Sequence, residues 1–159
     1  MTSKSDFPED EWARVVRAPL MAGMAIMVAD PGGPIEATKE TMASMRTATN
    51  PPTREQLLTE VALDVQAEMQ AKRNPLKGFK PSGTSSAGDQ VLAELTAVRD
   101  IVAARATDEE AAAFGHWLVA TAQSTAEAAK EGGFTGIGAE LVSEREQEML
   151  ERVRAAVSA

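Results

Sequence analysis

Cysteine is absent from the 159 residues, which excludes disulfides, thiolate metal sites and cysteine nucleophiles together. Tyrosine is absent and histidine occurs once, so few side chains can move protons near neutral pH. Large apolar side chains are scarce: Leu, Ile, Val and Phe make up 30 residues, or 19%, at the threshold where a charged chain can fail to fold. Long apolar runs are missing as well. The longest uncharged apolar run, Ala18 to Ala29, has 12 residues, short of the roughly 18 that a membrane span needs, so no transmembrane segment is expected. Positive charge is in deficit, with 16 basic against 24 acidic residues and a net charge of −8, which disfavours nucleic acid and anionic membranes as partners. Residues Met1 to Phe7 hold one lysine, and no apolar core with a cleavage site follows, so a secretory signal is not expected and a cytoplasmic location is.

What is present is alanine, 29 residues of it, arranged so that larger side chains recur at helical spacing. Val91, Leu95, Val98 and Val102 repeat at four, three and four, Leu58, Val61, Val65 and Met69 at three, four and four, and Ile35, Met42 and Met45 are read as a further stripe. Such a stripe carried through successive segments marks packed helices rather than disorder, and alanine lets their axes approach closely. No useful stretch alternates with period two. The expectation is an all-α fold: one domain over residues 1–159, a bundle of five to seven helices with no sheet.

Caps and breakers place the boundaries. Asp6-Phe7-Pro8-Glu9 reads as a start signal for a first helix to Ala29, bent at Pro19. Asp30-Pro31-Gly32-Gly33 ends it, and Pro34 suits the first turn of a second helix to Thr47. Thr53-Arg54-Glu55-Gln56 reads as a capping box for a third helix to Lys72. A fourth is expected over Asp89 to Ala106. Thr107-Asp108-Glu109-Glu110 and Ser143-Glu144-Arg145-Glu146 are further boxes, opening a fifth helix to Glu131 and a sixth near the C-terminus. Residues 73–88, rich in Pro, Gly and Ser, form a long basic loop expected to be flexible. Residues 132–142 form a glycine-rich connection whose four large apolar side chains are expected to pack down.

Candidate chemistry is sparse. Met21, Met24 and Met27 could offer three thioethers to copper(I), but the same residues, with Ala22, Gly23 and Ala25, describe a closely packed core helix. His116 falls beside the apolar face formed by Phe114, Trp117 and Leu118, which suits a flanking or surface position better than a catalytic one. The glycines at 132, 133, 136 and 138 lack the Gly-Lys-Ser/Thr of a phosphate loop and follow no strand. The basic loop is more telling. Lys72, Arg73, Lys77 and Lys80 place four positive charges in nine residues, with Phe79 as the single aromatic and no acid. Residues 107–159 carry four basic and ten acidic groups. A basic loop on an acidic chain can dock an acidic partner or simply be solvated. The candidate partner-binding residues are therefore Lys72, Arg73, Lys77, Phe79 and Lys80.

Two stretches resemble tellurite-resistance TerB-like domains. Ala18 to Glu40 runs as an apolar helix, then Ala29-Asp30-Pro-Gly-Gly-Pro-Ile35, then an acidic helix. Ala126 to Val153 is similar, with Ala128-Ala-Lys-Glu-Gly-Gly, then Val142-Ser-Glu-Arg-Glu146 and Met149-Leu150, suggesting a loose internal duplication. The resemblance covers about a third of the chain. It departs from the family pattern in the prolines of the first loop, in Glu131 where Asp is expected, and in about eight extra residues in the second loop. It implies an all-helical fold, membrane-stress complexes and a divalent-metal site at Asp30, Glu36 and Glu40, with Glu131, Glu144 and Glu146 as the second set. Oxygen-only ligands would suit Ca or Mg, whereas first-turn acids are also favoured by the helix dipole alone.

Three function classes stay open. One is a non-enzymatic interaction protein or accessory subunit that binds a protein partner or itself and needs no cofactor. Another is a divalent-metal-responsive stress module of the TerB-like kind. The last is a small enzyme working with carboxylates, which would show a cavity holding a carboxyl of raised pKa.

Overall fold

The computed structural model describes residues 1–74, 76–80, 86–128 and 142–158. Among them the chain forms six α-helices and no strand: α1 (Glu9–Ala29), α2 (Pro34–Ala48), α3 (Gln56–Gln70), α4 (Ala87–Arg105), α5 (Asp108–Ala128) and α6 (Glu144–Val157). α1 and α5 form a central pair, and α2, α3, α4 and α6 each pack against both of them. α4 and α6 also lie against each other.

α1 owes its central place to its composition. Val15, Ala18, Met21, Ala22, Ala25 and Ile26 are almost fully buried and Met24 packs on them from the edge, whereas Met27 is only partly buried. The helix is long and apolar enough by length and composition to cross a membrane, with mean hydropathy 1.3 over its most apolar stretch, yet 61% of that stretch is buried inside the bundle. The stripe expected on α2 does not form, since Ile35 and Met42 are exposed and only Met45 packs against the core. Gly23 marks where α2 crosses, since a Cβ there would overlap the Ser44 hydroxyl and crowd Thr125 of α5. On α5, Phe114 and Trp117 meet edge to face with ring centroids 6.0 Å apart, and Trp117 Nε1 donates to the Thr47 carbonyl at 2.8 Å. That bond satisfies the indole N–H that burial would otherwise leave unpaired.

Two of the expected caps form, the first as a full capping box and the second through the serine side chain. Thr107 and Glu110 cap α5 reciprocally, each backbone amide donating to the other's side chain at 3.1 Å. Ser143 Oγ accepts from the Glu146 amide at 3.2 Å and opens α6. Two others do not. Asp6 accepts from the Ser3 amide at 2.8 Å within a short 3-10 turn, Lys4–Asp6, and α1 starts after Pro8. α3 begins at Gln56 behind Glu55, which at φ −54° and ψ 141° is the last non-helical residue, so Thr53 lies outside the helix in the bend that follows Pro51 and Pro52. α4 begins two residues earlier than expected, with Ser86 Oγ accepting from the Asp89 amide at 3.2 Å. The glycine-rich connection lies outside the described residues except for its last member, Val142, which packs against the core.

The N-terminal segment straps the bundle. The Thr2 amide donates to Glu110 Oε1 at 2.8 Å, and the Thr2 hydroxyl donates to Glu110 Oε2. The Lys4 amide reaches Glu60 on α3 at 2.6 Å, its ammonium pairs with Asp64 at 2.9 Å, and Phe7 lies on Trp12. Burial alone would raise the Glu110 pKa, but the donors from Thr2 and Thr107 and the N-terminal ammonium outweigh it and hold the carboxyl at about 2.

Candidate functional site

The basic segment starts where α3 stops. The Arg73 amide donates to the Glu68 carbonyl and the Lys72 amide to the Met69 carbonyl, both at 3.0 Å, which is a Schellman ending. Lys72 occupies the left-handed position of this motif at φ 57°, a place where glycine is usually found. Arg73 then folds back on α3, and Nε and one terminal nitrogen each meet a Glu68 carboxylate oxygen at 2.9 Å. The pairing lowers the Glu68 pKa and raises that of Arg73.

Beyond Arg73, the described part of the loop is attached to the bundle. Leu76 and Phe79 are half-buried against the core. Tight turns close through the Lys77 amide to the Asn74 carbonyl at 3.0 Å and the Phe79 amide to the Leu76 carbonyl at 3.1 Å. Gly78, at φ 103°, lets the chain turn so that the Lys77 carbonyl accepts from Arg17 of α1 at 3.4 Å. The flexibility expected for residues 73–88 therefore has a boundary: 76–80 have their own contacts, whereas Pro75 and 81–85 lie outside the described residues.

The five predicted partner-binding residues thus separate into two kinds. Arg73 is engaged by Glu68 and Phe79 anchors the loop. Lys72, Lys77 and Lys80 are exposed, with no carboxylate partner among the described residues. Elsewhere Lys4 is taken up by Asp64, Arg14 by Glu94, Arg99 by Asp100, Arg105 by Glu11 and Arg152 by Asp89, while Arg46, Arg54, Arg145 and Arg154 are exposed and, like the three lysines, have no carboxylate partner among the described residues.

The acids of the metal reading have separate local roles. Asp30 ends α1, its amide donating to the Ile26 carbonyl at 3.4 Å. Glu36 reaches back to the Gly33 amide at 3.0 Å and caps the exposed start of α2. Glu40, one turn on, is buried at 3% exposure. In the second set, Glu146 belongs to the α6 capping box, Glu144 is exposed beside it, and Glu131 lies outside the described residues. Among the described residues no three acidic, histidine or cysteine side chains are gathered where they could hold a metal ion.

His116 is exposed and sits beside the buried Phe114 and Trp117, as its register on the helix implies. Asp64, Glu68, Asp89 and Glu110 all have lowered pKa values, the opposite of what a carboxyl acid catalyst needs. A groove where the end of α6 meets α4 and α5, lined in part by Arg99 and Arg154, escapes local sequence reading. Gly115 was its one signal. A Cβ there would stand 3.0 Å from the Val157 carbonyl oxygen, so the glycine marks a close approach of α6.

Comparison with protein-family models, curated proteins and solved structures finds no match to this chain.

Proposed function

We propose that the chain is a non-enzymatic interaction protein that docks an acidic protein surface through Lys72, Lys77 and Lys80. The observation that supports this most strongly is clustering: three exposed lysines without carboxylate partners among the described residues fall within nine residues of a chain whose net charge is −8. Attachment of the loop through Leu76, Phe79 and Arg17 also matters. An anchored loop loses less conformational entropy on binding than a free one, so more of the electrostatic attraction remains as affinity. Lysines at a rim act mainly on encounter rate and salt dependence. The cell interior is the proposed setting.

The test is affinity capture from native extract with the wild-type chain and with the K72E/K77E/K80E variant, at low and high salt. The reading expects the same protein to be captured by wild type at low salt, and lost both at high salt and with the variant. A partner retained by the variant at low salt overturns it.

A further inference from the structure

The groove at the end of α6 has a volume of about 550 Å³. That lies within the range of roughly 300–1,000 Å³ typical of small-molecule sites. Its floor includes Val102, Phe114, Leu118 and Val157, all buried. Three basic or titratable side chains stand around it, Arg99, His116 and Arg154, against one acid, Asp108. Arg99 is partly committed, because it donates to the Ser158 carbonyl at 3.1 Å and pairs with Asp100. Arg154 is exposed and has no carboxylate partner among the described residues.

On a chain of net charge −8, the apolar cavity is lined by two arginines against one aspartate, and Arg154 is the one that no carboxylate among the described residues takes up. A neutral apolar ligand would leave the arginine unused, and a cation would meet Arg154 and Arg99 at the mouth. A compact polyanion would find no use for the floor. We propose that the groove binds a free medium-chain carboxylate. Its hydrocarbon tail lies on Phe114, Leu118 and Val157, and its head is held by the Arg154 guanidinium through a charge-assisted pair. The site is independent of the lysine loop, which belongs to a different part of the chain.

Dodecanoate, dodecan-1-ol and dodecylamine serve as probes, titrated below their aggregation limits and followed by calorimetry and by amide chemical shifts. Dodecanoate is expected to bind one per chain, with shifts confined to α4, α5 and the end of α6, and about tenfold more tightly than the alcohol, since one charged hydrogen bond separates them. Arg154→Glu should reverse the preference between acid and amine. Ala112→Phe, which fills the groove from an exposed lining position, should abolish binding of dodecanoate with the thermal melt unchanged. Absence of dodecanoate binding, equal affinity for the alcohol, or unchanged affinity in both variants overturns the proposal.

Discussion

The two ends of α3 deal with charge in opposite ways. Near its start, the N-terminal strap brings charged and polar groups to partners: Lys4 meets Glu60 and Asp64, Trp12 Nε1 donates to Asp64 at 2.7 Å, and Thr2 donates to Glu110. Just past its other end, Lys72, Lys77 and Lys80 point charge at solvent with no carboxylate among the described residues to receive it. The first arrangement ties α3, α5 and the chain start together across more than a hundred residues of sequence. Solvated charges of the second kind contribute little to holding the fold. Stability and availability for binding are therefore assigned to different parts of the same small bundle.

The largest expected effect tests where stability resides. Trp117→Ala removes a fully buried side chain and its bond to Thr47, and should cost about 3–5 kcal/mol and with it the cooperative melt. His116→Ala, one residue away and exposed, should melt like the wild type. Equal destabilisation by the two would place the core elsewhere.

The strap is next. Glu110 has a folded pKa of about 2, below its ordinary value of 4.5, so its contribution is fully present above the unfolded pKa and is lost as pH falls. The contribution is about 2–3 kcal/mol, disappearing between roughly pH 5 and pH 2. Glu110→Gln should lower stability at neutral pH by a similar amount and flatten the dependence in that window, measured by urea denaturation at stepped pH. Parallel pH profiles for variant and wild type would break the strap account.

A smaller effect, of opposite sign, is expected at the junction between the two regions. Lys72 sits at φ 57°, where a side chain is strained and glycine is not. Lys72→Gly should stabilise the chain by about 0.5–1 kcal/mol in thermal or denaturant melts. Smallest of all, Lys77→Glu with Lys80→Glu should move stability by no more than about 0.5 kcal/mol, because neither lysine has a carboxylate partner among the described residues.

How much of this was legible in the sequence follows from the range of each interaction. The Thr107 and Ser143 boxes act over three residues, so their patterns were sufficient to place the starts of α5 and α6. The same pattern at Thr53 does not cap α3, because the backbone turns helical only after Glu55, two residues further on. The core stripe on α4 was readable because Val91, Leu95, Val98 and Val102 share one helical face, and all four are buried. The strap was not. Thr2 and Glu110 are joined only by the fold, and Glu110 had been accounted for as a capping residue. The basic loop is visible as composition, but its division into Arg73 and Phe79 on one side and three exposed lysines on the other depends on Glu68 and Arg17. Arg154 gave no local signal at all, because α4, α5 and α6 must converge before its surroundings exist.

Salt dependence of partner binding tests the central claim most directly. Affinity of the captured acidic partner would be measured for the wild type and for K72E/K77E/K80E across a salt series. Charges that act through solvent are screened over about 8 Å at physiological ionic strength. The wild type should lose affinity steadily as salt rises, while the variant is weak at low salt and nearly insensitive to it. Equal affinities and equal salt slopes for the two chains would contradict the assignment of binding to these lysines.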